Sequence, residues 1–314
     1  MLHGSGEQAP KAVDRRKKGV VRLADRTDSL CEALRTLRAD IAKARRRAGT
    51  GRRSWTPYKR GRRPSHRHQA CRKRDRMNSI CNLGSRVVNN YLISSEVGSI
   101  LIDTGYDGSF PRFMKGLEKR RIAPGDIKYV FLTHAHDDHA GFLNEVLAAT
   151  DAQVILHPKA VEGLKRGQNS FEGGCSSRLA FLFCKVLALF GHGEHRFPPI
   201  REEYLDRLVA IDSDRFRALD FPFEIMQTPG HTADHISLRV GDKLFCGDAA
   251  MNGFPSVRRT IIWIEDLRQY RQSWETILRK APVWLYPGHG KPFRASDLKK
   301  YLGSLDRVRL HPLK

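Results

Sequence analysis

No run of apolar residues in this chain is long enough to cross a bilayer, which takes about 20. The longest, Leu179 to Phe190, has 12 residues and is interrupted by Lys185. Cysteine is sparse as well. Cys31, Cys71, Cys81, Cys175, Cys184 and Cys246 are six in 314 residues, and their spacing matches neither a zinc ribbon nor a small disulfide scaffold. Cys246 reads as a packed core thiol. No internal repeat stands out, which argues against a solenoid or propeller. Arg15 and Arg16 lack the apolar stretch that an export signal needs, so a cytoplasmic location is the expectation. Acidic residues are few: 34 Asp and Glu stand against 56 Lys and Arg, for a net charge of +22.

That charge is concentrated at the front. Residues 1–76 hold 24 of the Lys and Arg and 7 of the Asp and Glu, about +17 in all, leaving about +5 for the rest. Arg, Lys, Gly and Pro dominate from Ala42 to Arg76, a composition that cannot build a core. One helix is expected there, with Ser29 as its cap and Leu30, Leu34, Leu37 and Ile41 on one face. Residues 1–76 are therefore read as a basic, disordered extension, and 77–314 as a catalytic domain. Three roles for the extension stay open. It is upstream sequence foreign to the functional protein, because Met77 stands just after it; or a nucleic-acid tether using Arg, Trp55 and Tyr58; or a targeting segment.

What the sequence does have is a concentration of metal-ligand residue types. Residues 133–141 read Thr-His-Ala-His-Asp-Asp-His-Ala-Gly directly after the apolar strand Val130-Phe131-Leu132. In an extended segment His134 and His136 point the same way. From His139 onward Ala140, Phe142, Leu143, Val146 and Leu147 recur at helical spacing, which places Asp138 at the N-cap. Three later islands have the same character. Phe223 to Met226 leads into Thr-Pro-Gly-His231, Lys243 to Cys246 into Gly-Asp248, and Val283 to Tyr286 into Pro-Gly-His289-Gly. Each is an apolar strand ending in Gly or Pro beside one donor, as expected where strand ends lift ligands onto one rim of a sheet. Imidazole and carboxylate donors suit zinc and equally iron or manganese.

These residues resemble the metallo-β-lactamase superfamily, whose signature is His-x-His-x-Asp-His followed by separate His, Asp and His ligands. The likeness spans roughly residues 80 to 310 and fills all seven ligand positions. It implies that His134, His136 and His231 hold one divalent ion, that Asp138, His139 and His289 hold a second, and that Asp248 bridges them. It also implies an α/β fold of four layers, an αβ/βα sandwich with two facing mixed sheets flanked by helices. The implied chemistry is a dinuclear hydrolase acting on a small-molecule ester, lactone or thioester, with a metal-bridging hydroxide as nucleophile and Asp138 orienting it. Phosphodiester or nucleic-acid cleavage is the alternative, and a non-catalytic scaffold is disfavoured because no ligand is missing. Asp248 argues against antibiotic hydrolysis. Ala249 to Gly253 departs from the Leu-Phe and Gly-Cys-Gly-Arg run of glyoxalase II enzymes, and Met251 from the tyrosine of quorum-quenching lactonases.

Strands are expected at 87–93, 99–102, 208–211, 222–227, 236–240, 243–246 and 283–286. Helices are expected near 109–121, 139–149, 158–166, 265–280 and 296–308, and strands mixed with helices from end to end mean an α/β class. Asp103, in the turn Asp-Thr-Gly, reads either as a simple turn carboxylate or as a partner of a ligand imidazole. His235 is expected to be a buried histidine bonded to backbone rather than an eighth ligand. His157, His192 and His195 read as ordinary loop residues, and Tyr204, Phe254, Arg258 and Arg259 as ordinary surface or core residues. A variable insertion is placed at 167–207. Its apolar stretch 179–190 is expected to be a buried or homodimer-forming helix, or else a lid over the metals.

Overall fold

Alternation of side chains across each strand sorts the apolar residues of this chain onto separate faces, and the architecture follows from that sorting. The computed structural model describes residues 79–170, 172–189, 193–219 and 221–313. The readings made for residues 1–76, including the helix after Ser29, and for His192 lie outside them.

The first half contains β1 (Ile80–Asn82), β2 (Tyr91–Ser95), β3 (Gly98–Ile102), α1 (Phe110–Lys119), β4 (Ile127–Phe131), the one-turn α2 (Asp137–Ala140), α3 (Leu143–Ala149), β5 (Gln153–Leu156) and α4 (Ala160–Arg166). Next come β6 (Gly174–Cys175), α5 (Arg178–Leu189), β7 (Leu208–Ala210) and α6 (Asp214–Arg217). The second half runs β8 (Glu224–Gln227), β9 (Ile236–Val240), β10 (Lys243–Gly247), β11 (Trp263–Ile264), α7 (Leu267–Lys280), β12 (Trp284–Pro287), β13 (Phe293–Arg294) and α8 (Ser296–Tyr301). One sheet has the order β1-β2-β3-β4-β5-β7 and is parallel from β3 onward; the other has the order β13-β12-β10-β9-β8, with β10 and β12 parallel. β6 and β11 form a small separate pair.

The faces explain the layers. Tyr91, Ile93, Ile100, Ile102, Phe131 and Ile155 of the first sheet share a core with Ile236, Leu238 and Phe245 of the second. Their neighbours Leu92, Leu101, Val130, Val154 and Leu156 point the other way, onto Phe113 and Leu117 of α1 and Val146 and Leu147 of α3. Leu244 and Cys246 likewise turn from Phe245 toward Tyr270, Trp274 and Ile277 of α7. The result is helix, sheet, sheet, helix: the four-layer sandwich. Each fully buried large side chain contributes about 1.5–3 kcal/mol, so the alternation itself fixes the register. α7 begins where the side chain of Asp266 accepts from the backbone N–H of Gln269 at 2.9 Å, and ends at Ala281 in the left-handed region.

Several boundaries differ from expectation for local reasons. The strand expected from Val87 begins only at Tyr91, because Ser85 Oγ accepts from the amides of Val87 and Val88 and folds that segment into a turn. The helix expected at 139–149 is two pieces. Gly141 lies so close to the Asp103–Gly105 turn that a Cβ there would meet Asp107 N at 2.4 Å and Gly105 O at 2.6 Å, and the chain breaks at Phe142. The N-cap of α2 is His136 rather than Asp138, with Asp137 and Asp138 both in the first turn, where the helix dipole favours negative charge. The last helix stops at Tyr301 and continues as a 3-10 segment to Arg307. In α5 only Ala180 is buried, while Leu182 is 62% and Leu189 85% exposed. The buried-helix reading of 179–190 is thereby overturned. Among the described residues no helix is long and apolar enough to cross a membrane.

Candidate metal centre

The seven expected ligands come from four strand ends that meet along one rim where the sheets touch. His134, His136, Asp138 and His139 follow β4, His231 follows β8, Asp248 follows β10, and His289 follows β12. Backbone hydrogen bonds hold the rim together: Ile236 N donates to Thr133 O across the two sheets, Gly288 N to Gly247 O, and Thr104 N to His139 O.

Two donor groups result. His134 Nε2, His136 Nδ1 and His231 Nε2 form a triangle with edges of 3.1 to 3.2 Å. Asp138, His139 and His289 form the second group, with His289 Nε2 3.1 Å from Asp138 Oδ2 and His139 Nε2 3.7 Å from Asp138 Oδ1. Asp248 Oδ2 lies between them, 3.6 Å from His231 Nε2, 3.6 Å from His139 Nε2 and 3.3 Å from His289 Nε2. It thus reaches both groups with one oxygen.

The outer nitrogens fix the tautomers. His231 Nδ1 donates to Trp263 O at 2.8 Å and His289 Nδ1 to Val87 O at 2.8 Å. His139 Nδ1 donates to Asp103 Oδ2 at 2.8 Å, and His134 Nδ1 donates to Thr133 Oγ1 at 3.0 Å, whose own hydrogen goes to Asp103 Oδ2. His134 and His231 then present an Nε2 lone pair inward, while Nε2 of His139 and His289 faces the carboxylates of Asp138 and Asp248. His134 Nε2 and His231 Nε2 face each other at 3.2 Å as two acceptors with no hydrogen to share. That is the spacing of donors around a tetrahedral ion with bonds of about 2.0–2.1 Å. In the second group His139 Nε2 and Asp248 Oδ1 are buried without a hydrogen bond.

Charge tells the same story. Burial and the neighbouring imidazoles hold His134 and His136 well below the ordinary histidine range, and burial lowers His231 too, so the triangle is neutral. Burial also opposes charge on His139 and His289, but there the adjacent carboxylates win. Asp138, Asp248 and Asp103 raise His139 well above its usual value, and Asp248 and Asp138 carry His289 to about 10. Against burial, His139 and His289 in turn pull Asp138 down, and Asp248 well down. The second group calls for positive charge at its centre. The residues fit divalent cations in both groups.

Asp103 is therefore the imidazole partner and not merely a turn residue: besides His139 and Thr133 Oγ1, its Oδ1 accepts from Thr133 N at 2.7 Å. His235 is bonded as expected of a buried histidine. Its Nε2 accepts from Asp248 N at 3.0 Å and its Nδ1 pairs with Thr228 Oγ1 at 2.9 Å. Cys246 is fully buried in the second core and Tyr204 is buried in the first. His157 accepts from Lys159 N as a local turn residue. His195 lies in a loop as expected, and its Nδ1 is 3.3 Å from Asp137 Oδ1. Sequence reasoning missed Asp234, a buried carboxylate that accepts from Ala135 N at 2.9 Å and from Asn169 Nδ2 at 3.2 Å. It also missed Glu265, raised to about 7 by burial, whose Oε2 accepts from Ala233 N at 2.9 Å. Asp234 had one sequence signal, its place three residues after His231, and Glu265 had none.

Residues 83–309 match the family described as the metallo-beta-lactamase superfamily. The chain belongs to that superfamily. Among its relatives is the Beta-lactamase-like protein 2 homolog of Drosophila melanogaster, 27% identical over 207 residues, which are 64% of this chain and 58% of that protein. The chain thus spans little more than half the length of that relative. An archaeal relative from Methanocaldococcus jannaschii, named as a probable metallo-hydrolase, is 29% identical over 207 residues, 65% of this chain and 87% of its own. Among solved structures, a motif mutant of a Cronobacter sakazakii metallo-β-lactamase superposes with a TM-score of 0.51 at 19% identity, covering 74% of this chain and 90% of that one. That likeness is one of fold. The superfamily's sandwich accounts for the two facing sheets, and its metal-binding character agrees with the His and Asp groups found here.

Proposed function

We propose that this superfamily member is a metal-dependent hydrolase with two divalent ions, most simply Zn²⁺, that cleaves a carboxylic ester, lactone or thioester. The observation that carries the reading is Asp248 Oδ2, within 3.3 to 3.6 Å of imidazole nitrogens from both donor groups. The name of the archaeal relative, a metallo-hydrolase, supports the reaction class. Bound ions would supply Lewis acidity and a water ionised near neutral pH.

The chain's own residues do the rest. The lone pairs of His134, His136 and His231 are pre-aimed, so little reorganisation is required as charge develops. Asp138 is among the more open ligands, its side chain 13% exposed against 0% for His139. It is placed to orient the attacking water, accept its proton and pass it to the leaving group. Asp103 keeps His139 in one tautomer throughout.

The test is elemental analysis of the purified protein beside Asp248→Ala, together with a substrate panel. About two ions per chain, falling to one or fewer in the variant with loss of ester turnover, is expected; unaltered stoichiometry would count against bridging. Phosphodiester cleavage is the second reading, motivated by the charge of residues 1–76. Rapid turnover of bis(p-nitrophenyl) phosphate with none of any carboxyl ester would select it.

A further inference from the structure

A cavity of about 310 Å³ opens between the start of α5, the turn at 257–260 and the C-terminal segment after α8. It shares no lining residue with the seven-ligand cluster. Arg178, Arg258, Arg307 and Arg309 all line it, together with serine and threonine hydroxyls, and none of its lining residues is a carboxylate. Among the described residues none of these four guanidiniums forms an ion pair. The contrast with their neighbours is sharp: Arg259 holds Asp297 at 2.8 Å, and Asp306 is taken by Arg271. A guanidinium cannot shed its proton to relieve repulsion, so four of them around one concavity call for an anion.

Two further features point into the same space. Val257 to Thr260 is a tight turn, closed by Thr260 N donating to Val257 O at 3.1 Å, with Arg258 and Arg259 at φ of 57° and 68°. Such consecutive left-handed positions usually carry Asn and Gly. Here they divide the arginines, sending Arg259 to Asp297 and Arg258 to the cavity. α5 also starts at the cavity: Ser177 Oγ accepts from Ala180 N, and the first turn of this 12-residue helix carries no acidic residue to offset its positive end.

We propose that this cavity binds a small phosphate-bearing molecule, its phosphate groups held by Arg178, Arg258, Arg307 and Arg309. Four fixed positive charges match a multiply charged phosphate better than a single carboxylate, and planar guanidiniums bond phosphate oxygens in pairs. The volume is at the lower end for small-molecule sites, roughly 300–1,000 Å³, which favours a small ligand over a nucleic-acid strand. The proposal stands independently of the hydrolase reading.

Isothermal titration of the full-length, as-purified protein with adenosine diphosphate and with inorganic pyrophosphate tests it. Binding is expected for both, at least about tenfold weaker in the double variant Arg178→Gln/Arg309→Gln, and unchanged in Asp248→Ala. Arg178→Lys/Arg309→Lys should recover part of the loss. Both positions are exposed, so an unaltered thermal midpoint is expected; should the double variant not fold, Arg307→Gln alone takes its place. Binding that is equal in the Gln variant, lost in Asp248→Ala, matched by citrate, or found only with a single-stranded oligonucleotide overturns the proposal, as does its absence at millimolar ligand.

Discussion

Asp103 receives the Nδ1 hydrogen of His139 at 2.8 Å from a backbone held at φ of 56°. A non-glycine residue in the left-handed region is uncommon, and Asp and Asn tolerate it best. The strain aims one carboxylate at His139, at Thr133 Oγ1 and at Thr133 N together. Asp103→Asn keeps the shape and the tolerance for that backbone but sets an amide hydrogen against one of these donors. Metal affinity is expected to fall about 10–100-fold, as for other partners of ligand imidazoles. Chelator competition measures it, and unaltered affinity would remove Asp103 from the site.

Gly288 precedes His289 with no room for a side chain. A Cβ there would stand 2.5 Å from Asp248 Oδ1 and 2.7 Å from His139 Cε1. In Gly288→Ala the carboxylate must move, and displacement of about 1 Å costs on the order of 100-fold in rate. Turnover should collapse while the circular dichroism spectrum stays the same. Activity within a factor of a few of the parent would show that Asp248 has slack.

His235 makes acid destabilising. Burial, reinforced by His231, holds its pKa near 3, and its Nε2 accepts the amide of Asp248, an arrangement that protonation destroys. The unfolded value is about 6.5, so this histidine's contribution is complete above that pH and is lost as pH falls toward 3. Between pH 6.5 and 5 the loss is about 2 kcal/mol. Urea midpoints of chelated protein at the two pH values should show wild type losing that much more than His235→Gln. Parallel behaviour of the two proteins would contradict it.

Metal removal should weaken the whole fold, because the donors hang from both sheets. An ion present at a hundredfold excess over its Kd adds about 2.7 kcal/mol, which for a domain of this size is about 5–10 °C of melting temperature. Calorimetry before and after treatment with a chelator reads this directly. No shift would mean that the rim is held by its backbone hydrogen bonds alone.

The candidate donors were legible because each follows an apolar strand, three of the four islands with Gly or Pro beside the donor, and strand ends place side chains predictably. The sandwich was not legible from periodicity, which yields strands and helices but not their stacking, and it came through resemblance. Trp263 and Val87 were invisible as partners of His231 and His289, since a backbone carbonyl has no signature in its side chain. Asp234 acts on Ala135 across 99 positions of sequence. His195 reached Asp137 only through the path of the inserted segment. The N-cap of α2 shifted to His136 because the helix starts as soon as the chain leaves the extended His-Ala-His run.

The hydrogen bond from Ile236 N to Thr133 O marks the seam between the two sheets, with four donors on one side of it and three on the other. Neither portion alone carries a complete complement. A chain cut between Ala210 and Glu224 would yield two inert fragments, and their reunion could be followed by the return of cation uptake, making this seam a natural place to split the molecule into a reporter of association.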